Sequence, residues 1–141
     1  MREILFKAKR IDNGEWVEGW IVPTMHNTYH DGYRIIDVRG INYDELDGWE
    51  PTFISWEVDK DTLCRYTGLT DKNGNKIWEN DVVVIPTENG YFTIKWSDTE
   101  ARWEMENEEE GLIVDFDNYW SYQVKVVGNI FDNPELIEGS E

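Results

Sequence analysis

The chain has 141 residues, a length that suits one domain or two very small β-modules sharing a core. Thirty Asp and Glu stand against 13 Lys and Arg, a net charge of −17 that repels nucleic-acid phosphates and anionic membrane surfaces and leaves solubility, or a basic partner, as the use of that charge. One cysteine, Cys64, excludes an internal disulfide, the opening residues hold no apolar run of signal-peptide length, and no stretch nears the ~20 apolar residues of a spanning helix, so a cytoplasmic protein is expected.

The predicted elements are short strands. Residues 2–10 alternate loosely, with Ile4, Phe6 and Ala8 on one face. Asp12-Asn13-Gly14 turns the chain into a second strand over 15–22, which Pro23 ends. Residues 24–31, with His26 and His30, read as a loop, 33–38 as a third strand, 41–51 as irregular, and 53–58 as a fourth strand. Asp59-Lys60-Asp61 is a polar break and the expected module boundary.

The stretch from 63 to 85 organises the remainder of the chain. Asn73-Gly74 predicts a type I′ hairpin turn, which needs φ > 0 at both central residues. Glu79-Asn80-Asp81 is a second polar corner, and 82–85 is a β-branched run bounded by Pro86. Residues 91–96 alternate cleanly, with Phe92, Ile94 and Trp96 inward. Ala101, Trp103 and Met105 share one face of a further strand, the acidic run 106–111 is a loop, and Leu112, Val114 and Phe116 share the next face. Residues 119–127 read as the last strand, 135–137 as a terminal turn, and 138–141 as frayed.

No segment keeps helical periodicity over a dozen residues, and turn signals recur at strand spacing. The expected fold is therefore mainly β and built of small barrels. Residues 62–138 read as an SH3-like barrel, residues 1–61 as a β-rich module packed against it, and 139–141 as a disordered tail; one unit overall is the alternative.

Three stretches resemble the YopX protein family. They are Tyr66-Thr67-Gly68-Leu69-Thr70-Asp71-Lys72-Asn73-Gly74, then Ile77-Trp78-Glu79-Asn80-Asp81-Val82-Val83, then Val127-Gly128-Asn129-Ile130-Phe131-Asp132-Asn133-Pro134-Glu135-Leu136. Residues 2–7 and 14–19 also resemble the family's opening. Asn80 departs from it, since the family more often has glycine there; asparagine tolerates left-handed backbone well enough to keep the corner. The resemblance implies a phage or prophage protein of mainly β architecture in the cytoplasm of a bacterial host, and it brings no activity with it. Its motif residues, Gly68, Asn73, Gly74, Asn80, Asp81, Gly128, Asn133 and Pro134, punctuate and pack, and none forms a nucleophile–base pair.

Candidate chemistry is thin. His26 and His30 are four apart but sit in polar surroundings without a third ligand, so no metal is expected. Glu104, Glu106, Glu108, Glu109 and Glu110 lack the internal Gly of a calcium loop, since Gly111 comes only at the end, and read as a solvated cluster. Asp71 is expected to accept backbone hydrogen bonds in its turn and Asp81 to fix the corner after it. Cys64 reads as a small buried hydrophobe. Eight tryptophans are many for this length; Trp20 and Trp56 are assigned to the core, and Trp49, with Trp16 and Tyr43, to an exposed anchor.

The expectation is thus a protein with no catalytic residues, cofactor or metal that binds a protein partner, including a second copy of itself, through Trp49, Trp16, Tyr43, Glu108, Glu109 and Glu110, with no direct contact to nucleic acid or membrane. The alternatives are an acidic mimic of DNA charge that binds a nucleic-acid-binding protein, and a carbohydrate-binding module or small hydrolase using tryptophans and carboxylates.

Overall fold

The alternating runs become strands in a computed structural model, which describes residues 4–26, 29–43 and 51–137. The chain divides into two units, 1–65 and 66–141, built on two antiparallel sheets with one α-helix among the described residues.

The first unit holds β1 (Phe6–Lys9), β2 (Trp16–His26), β3 (Tyr29–Tyr43) and β4 (Pro51–Val58), in spatial order β4-β3-β2-β1, with the first residues of β5 (Cys64–Thr70) beside β1. Gly14 (φ +74) makes the turn between β1 and β2, and Phe6 to Lys9 pair with Gly19 to Trp16. The end of β1 folds back onto β4: Arg10 bridges Val58, Ile11 N–H donates to Glu57 O (3.0 Å), and Asp59 N–H donates to Lys9 O (2.8 Å). Ala8, Ile35 and Val58 are buried at the centre, with Phe6, Val17, Tyr33 and Leu63 against them. Cys64 is buried, as expected of a small hydrophobe.

Of the predicted loop at 24–31, residues 24–26 and 29–31 are strand instead. Both β2 and β3 run on past Pro23, with Met25 opposite His30 and His26 opposite Tyr29. Pro23 sits opposite Tyr33, beyond the part of β2 that β1 covers, so its missing N–H faces no ladder on that side. Likewise β3 continues to Tyr43, opposite Pro51, with a register break between Ile36 and Ile41 that absorbs the Arg39-Gly40 corner.

The second unit begins inside β5. Tyr66 and Thr70 pair with Trp78 and Lys76 of β6 (Lys76–Trp78), and Gly68 (φ +86) occupies the bulge that this unequal spacing creates. After it come β7 (Asp81–Val84), β8 (Phe92–Ser97), β9 (Arg102–Asn107), β10 (Leu112–Asp115), α1 (Asn118–Ser121) and β11 (Lys125–Asn129), with a 3-10 turn at Pro134–Leu136. The sheet order is β10-β9-β8-β7-β11. Its core gathers Ile77, Val83, Ile85, Phe92, Ile94, Trp103, Met105, Phe116 and Val124, with Leu69, Trp96, Val114, Trp120 and Val126 around them. In β9 the alternation is strict: Trp103, Met105 and Asn107 are buried while Arg102, Glu104 and Glu106 point outward.

Three expectations for this unit change. The Asn73-Gly74 turn is not type I′, because Gly74 has positive φ and Asn73 does not. Gly74 N–H donates to Asp71 O (3.0 Å) and Asp71 N–H to Asn75 O (2.8 Å), the three-residue loop in which one left-handed glycine ends the turn. The predicted last strand opens with α1, because the Asp117 carboxylate accepts from Tyr119 N–H and Trp120 N–H and starts a helical turn. The expected closed barrel does not form among the described residues: β10 and β11 end the sheet without pairing, and the outer side of β11 is taken by the β5–β6 turn, where Lys72 N–H donates to Val124 O (3.1 Å).

Gly19 shows how closely β2 and β3 approach. A Cβ there would lie 1.8 Å from Ile36 O, a backbone atom with no room to yield. Gly19→Ala is expected to part the two strands and destabilise the first unit by about 3 kcal/mol or more, read as a lowered urea midpoint with loss of amide protection across β2 and β3.

Candidate functional site

The motif residues lie along separate hydrogen-bonded ties in the second unit, one knot at Asp71 that reaches Val126 and another at Asn80 that reaches Ile130. Asp71 is buried, and its carboxylate accepts from Asn73 N–H (2.9 Å), Asn75 N–H (2.9 Å) and, across 55 residues of chain, Val126 N–H (3.0 Å). Burial by itself pushes this carboxyl up. The amides of Val126, Asn75 and Asn73, with the Asn75 side chain, outweigh it and hold Asp71 below the usual carboxylate range. Asp81, also buried, accepts Trp78 N–H (2.8 Å) and closes the corner between β6 and β7.

Asn80 at that corner is left-handed (φ 72), the conformation its side chain was expected to tolerate. Its N–H donates to Ile94 O (2.8 Å), and its carbonyl accepts Ile130 N–H (3.0 Å). The C-terminal motif therefore ends on the corner of the central one. Asn133 Oδ1 accepts Asn129 N–H (3.3 Å) above Gly128, where any Cβ would lie 2.4 Å from that oxygen. Pro134 opens the terminal 3-10 turn. The Asp71 and Asp81 carboxylates and Asn133 Oδ1 thus accept backbone amides.

Trp16 is half-buried, with the Lys7 ammonium 4.6 Å and the Lys9 ammonium 5.5 Å from its ring centre. Trp56 is half-buried under the Arg10 guanidinium. Trp20, assigned to the core, is 47% exposed, because it lies in the sheet on the face away from Ala8, Ile35 and Val58. Tyr43 ends β3 but its side chain lies outside the described residues, as does Trp49. His26 and His30 sit on β2 and β3, and their side chains lie outside the described residues too.

The acidic candidates stay together. Glu108, Glu109 and Glu110 are exposed in the β9–β10 turn, which Gly111 (φ +66) ends and the Asn107 side chain caps by accepting Glu110 N–H (3.0 Å). Glu104 and Glu106 project from β9 beside them, and Arg102 bridges Glu104 (2.8 Å) and Asp115 across the hairpin. The second unit holds 17 acidic against 5 basic residues and the first 13 against 8, so most of the net charge belongs to the second.

Two features escaped sequence reasoning. Leu112 and Ile113 on β10, and Tyr119 and Tyr122 at α1, are exposed, although alternation set Leu112 on one face with Val114 and the buried Phe116. In the first unit a cavity of about 510 Å³ opens where β1 folds back on β4, lined by Lys9, Arg10, Tyr33, Val58 and Lys60 and bounded by Thr24, whose buried hydroxyl has no partner among the described residues. No cluster of three His, Cys, Asp or Glu suited to a metal occurs among the described residues, and no helix there is long and apolar enough to cross a membrane.

The family model described as YopX protein matches residues 11–138. The crystal structure of protein EF1440 from Enterococcus faecalis is similar in fold, with a TM-score of 0.61 at 22% identity over 98% of this chain and 100% of that one. No curated protein matches the chain.

The depressed Asp71 carboxyl makes the knot testable by pH. Its stabilisation is complete above the unfolded carboxyl value of about 3.9 and is lost as pH falls through the lower folded value. Asp71→Asn is expected to lower the unfolding free energy by about 2–3 kcal/mol at pH 7, with the gap to wild type narrowing below about pH 4 in urea titrations. A gap independent of pH would show that the charge contributes nothing.

Proposed function

The chain belongs to the YopX protein family, and on that premise we propose that it is a non-enzymatic phage or prophage accessory protein, acting in the cytoplasm of a bacterial host, whose task is to bind another protein. One observation carries this reading. The most strongly charged part of the molecule, the β9–β10 hairpin, stands beside exposed aliphatic side chains, Leu112 and Ile113. Acidic side chains around an apolar centre are the makings of an interface with a basic partner, while a catalytic site needs polar groups held free for substrate. The buried carboxylates Asp71 and Asp81 are instead bonded to backbone amides. On strand number and short hairpins alone, the second unit also reads as an SH3-like arrangement left open.

A second reading, an acidic mimic of DNA charge, is favoured by the concentration of carboxylates in one unit. Salt separates the two. Immobilised full-length protein is expected to capture a partner from host lysate, and Glu108→Gln/Glu109→Gln/Glu110→Gln is expected to weaken that capture severalfold. A partner released both by salt and by added duplex DNA selects the mimic; one resistant to both selects the aliphatic contact. Capture by neither form removes the binding reading.

A further inference from the structure

The five-stranded sheet treats its two ends differently. At β11 the outer side is closed: Val126 N–H is held by the Asp71 carboxylate (3.0 Å), and Val124 O accepts Lys72 N–H (3.1 Å). At β10 no described strand lies beyond, so every second N–H and C=O of residues 112–115 faces outward. Such an edge is a template for one more strand. Its side chains suit the role. Leu112 and Ile113 are 42% and 54% exposed and, as neighbours in a strand, point to opposite faces, so an added strand would find an aliphatic contact on each face of the sheet.

Charge selects the occupant. Glu104 and Glu106 on β9, Glu108, Glu109 and Glu110 in the turn, and Asp115 on β10 surround this edge, and Arg102 answers Glu104 and Asp115. A second copy pairing through the same edge would set these carboxylates against their own kind. An extended segment alternating basic and aliphatic residues would instead place cations over the carboxylates and its apolar side chains against Leu112 and Ile113.

We infer that the open edge of β10 is a strand-addition site for a short, basic, extended segment of a partner protein, which rests on the protein-binding reading and names the partner's chemistry. Four residues set the length of the ladder, so specificity must come from the flanking charge, and binding weakens with salt.

The test uses the full-length chain and a synthetic peptide of about eight residues alternating Lys and Val, with a Glu–Val peptide as its counterpart. The readout is amide hydrogen exchange and chemical-shift change by NMR. The Lys–Val peptide is expected to slow exchange of the outward amides of residues 112–115 about tenfold at low salt and less at high salt, while the Glu–Val peptide leaves them unchanged. Leu112→Lys/Ile113→Lys is expected to weaken the peptide at least tenfold while keeping the dispersed spectrum of a folded protein. Equal protection by both peptides, shifts confined to other residues, or a dimer that already protects the edge would overturn the proposal. Partner capture from lysate undiminished in the double variant would overturn the edge and leave the protein-binding reading standing. Protection by the peptide with no capture by either form would show an edge able to add a strand but remove the protein-binding reading, and the proposed partner with it.

Discussion

The second unit depends on one buried carboxylate. Asp71 sits at a hairpin turn and accepts amides from the far side of that turn and from a strand 55 residues later. A carboxylate that takes three backbone amides removes three unsatisfied donors at once, and hydrogen bonds to a charged acceptor are worth roughly twice neutral ones. Asp71 takes Val126 N–H on β11, at the end of the sheet opposite β10.

The other motif residues extend the same device. Asp81 closes the β6–β7 corner, Asn80 turns it and accepts Ile130 N–H, and Asn133 seats itself over Gly128. Each is a polar side chain or bare backbone used where the chain changes direction and would otherwise leave amides buried without partners. The residues that resemble the family thus hold the architecture of the second unit at its turns and corners. Asp71 and Asp81 are spent on backbone amides, while charge and exposed aliphatic groups coincide on the outside of the second unit.

The first unit is built on thinner material. Ala8, Ile35 and Val58 form its buried centre, and the return of β1 onto β4 rests on one bridge and two backbone hydrogen bonds. Lysine and arginine side chains over Trp16 and Trp56 cover aromatic surface that a larger core would have buried. Trp20, on the face away from Ala8, Ile35 and Val58, is left exposed.

Ala101, expected on one face with Trp103 and Met105, is instead an exposed left-handed turn residue ahead of β9, and the left-handed corner at Asn80 came with the family resemblance. The β class, the burial of Phe92, Ile94, Trp103 and Met105, and the roles of Asp71 and Asp81 as acceptors for backbone were legible in the order of the residues. Each follows from period-two alternation or from the local geometry of short polar side chains, which act within a few residues. The residue order could not say where a turn's carboxylate finds its third amide, that Asp117 would begin a helix inside an expected strand, that β2 would continue past Pro23, or that Leu112 would lie exposed. Those depend on which strand is a neighbour and which edge is covered, and the pairing of segments far apart in the chain is what decides that.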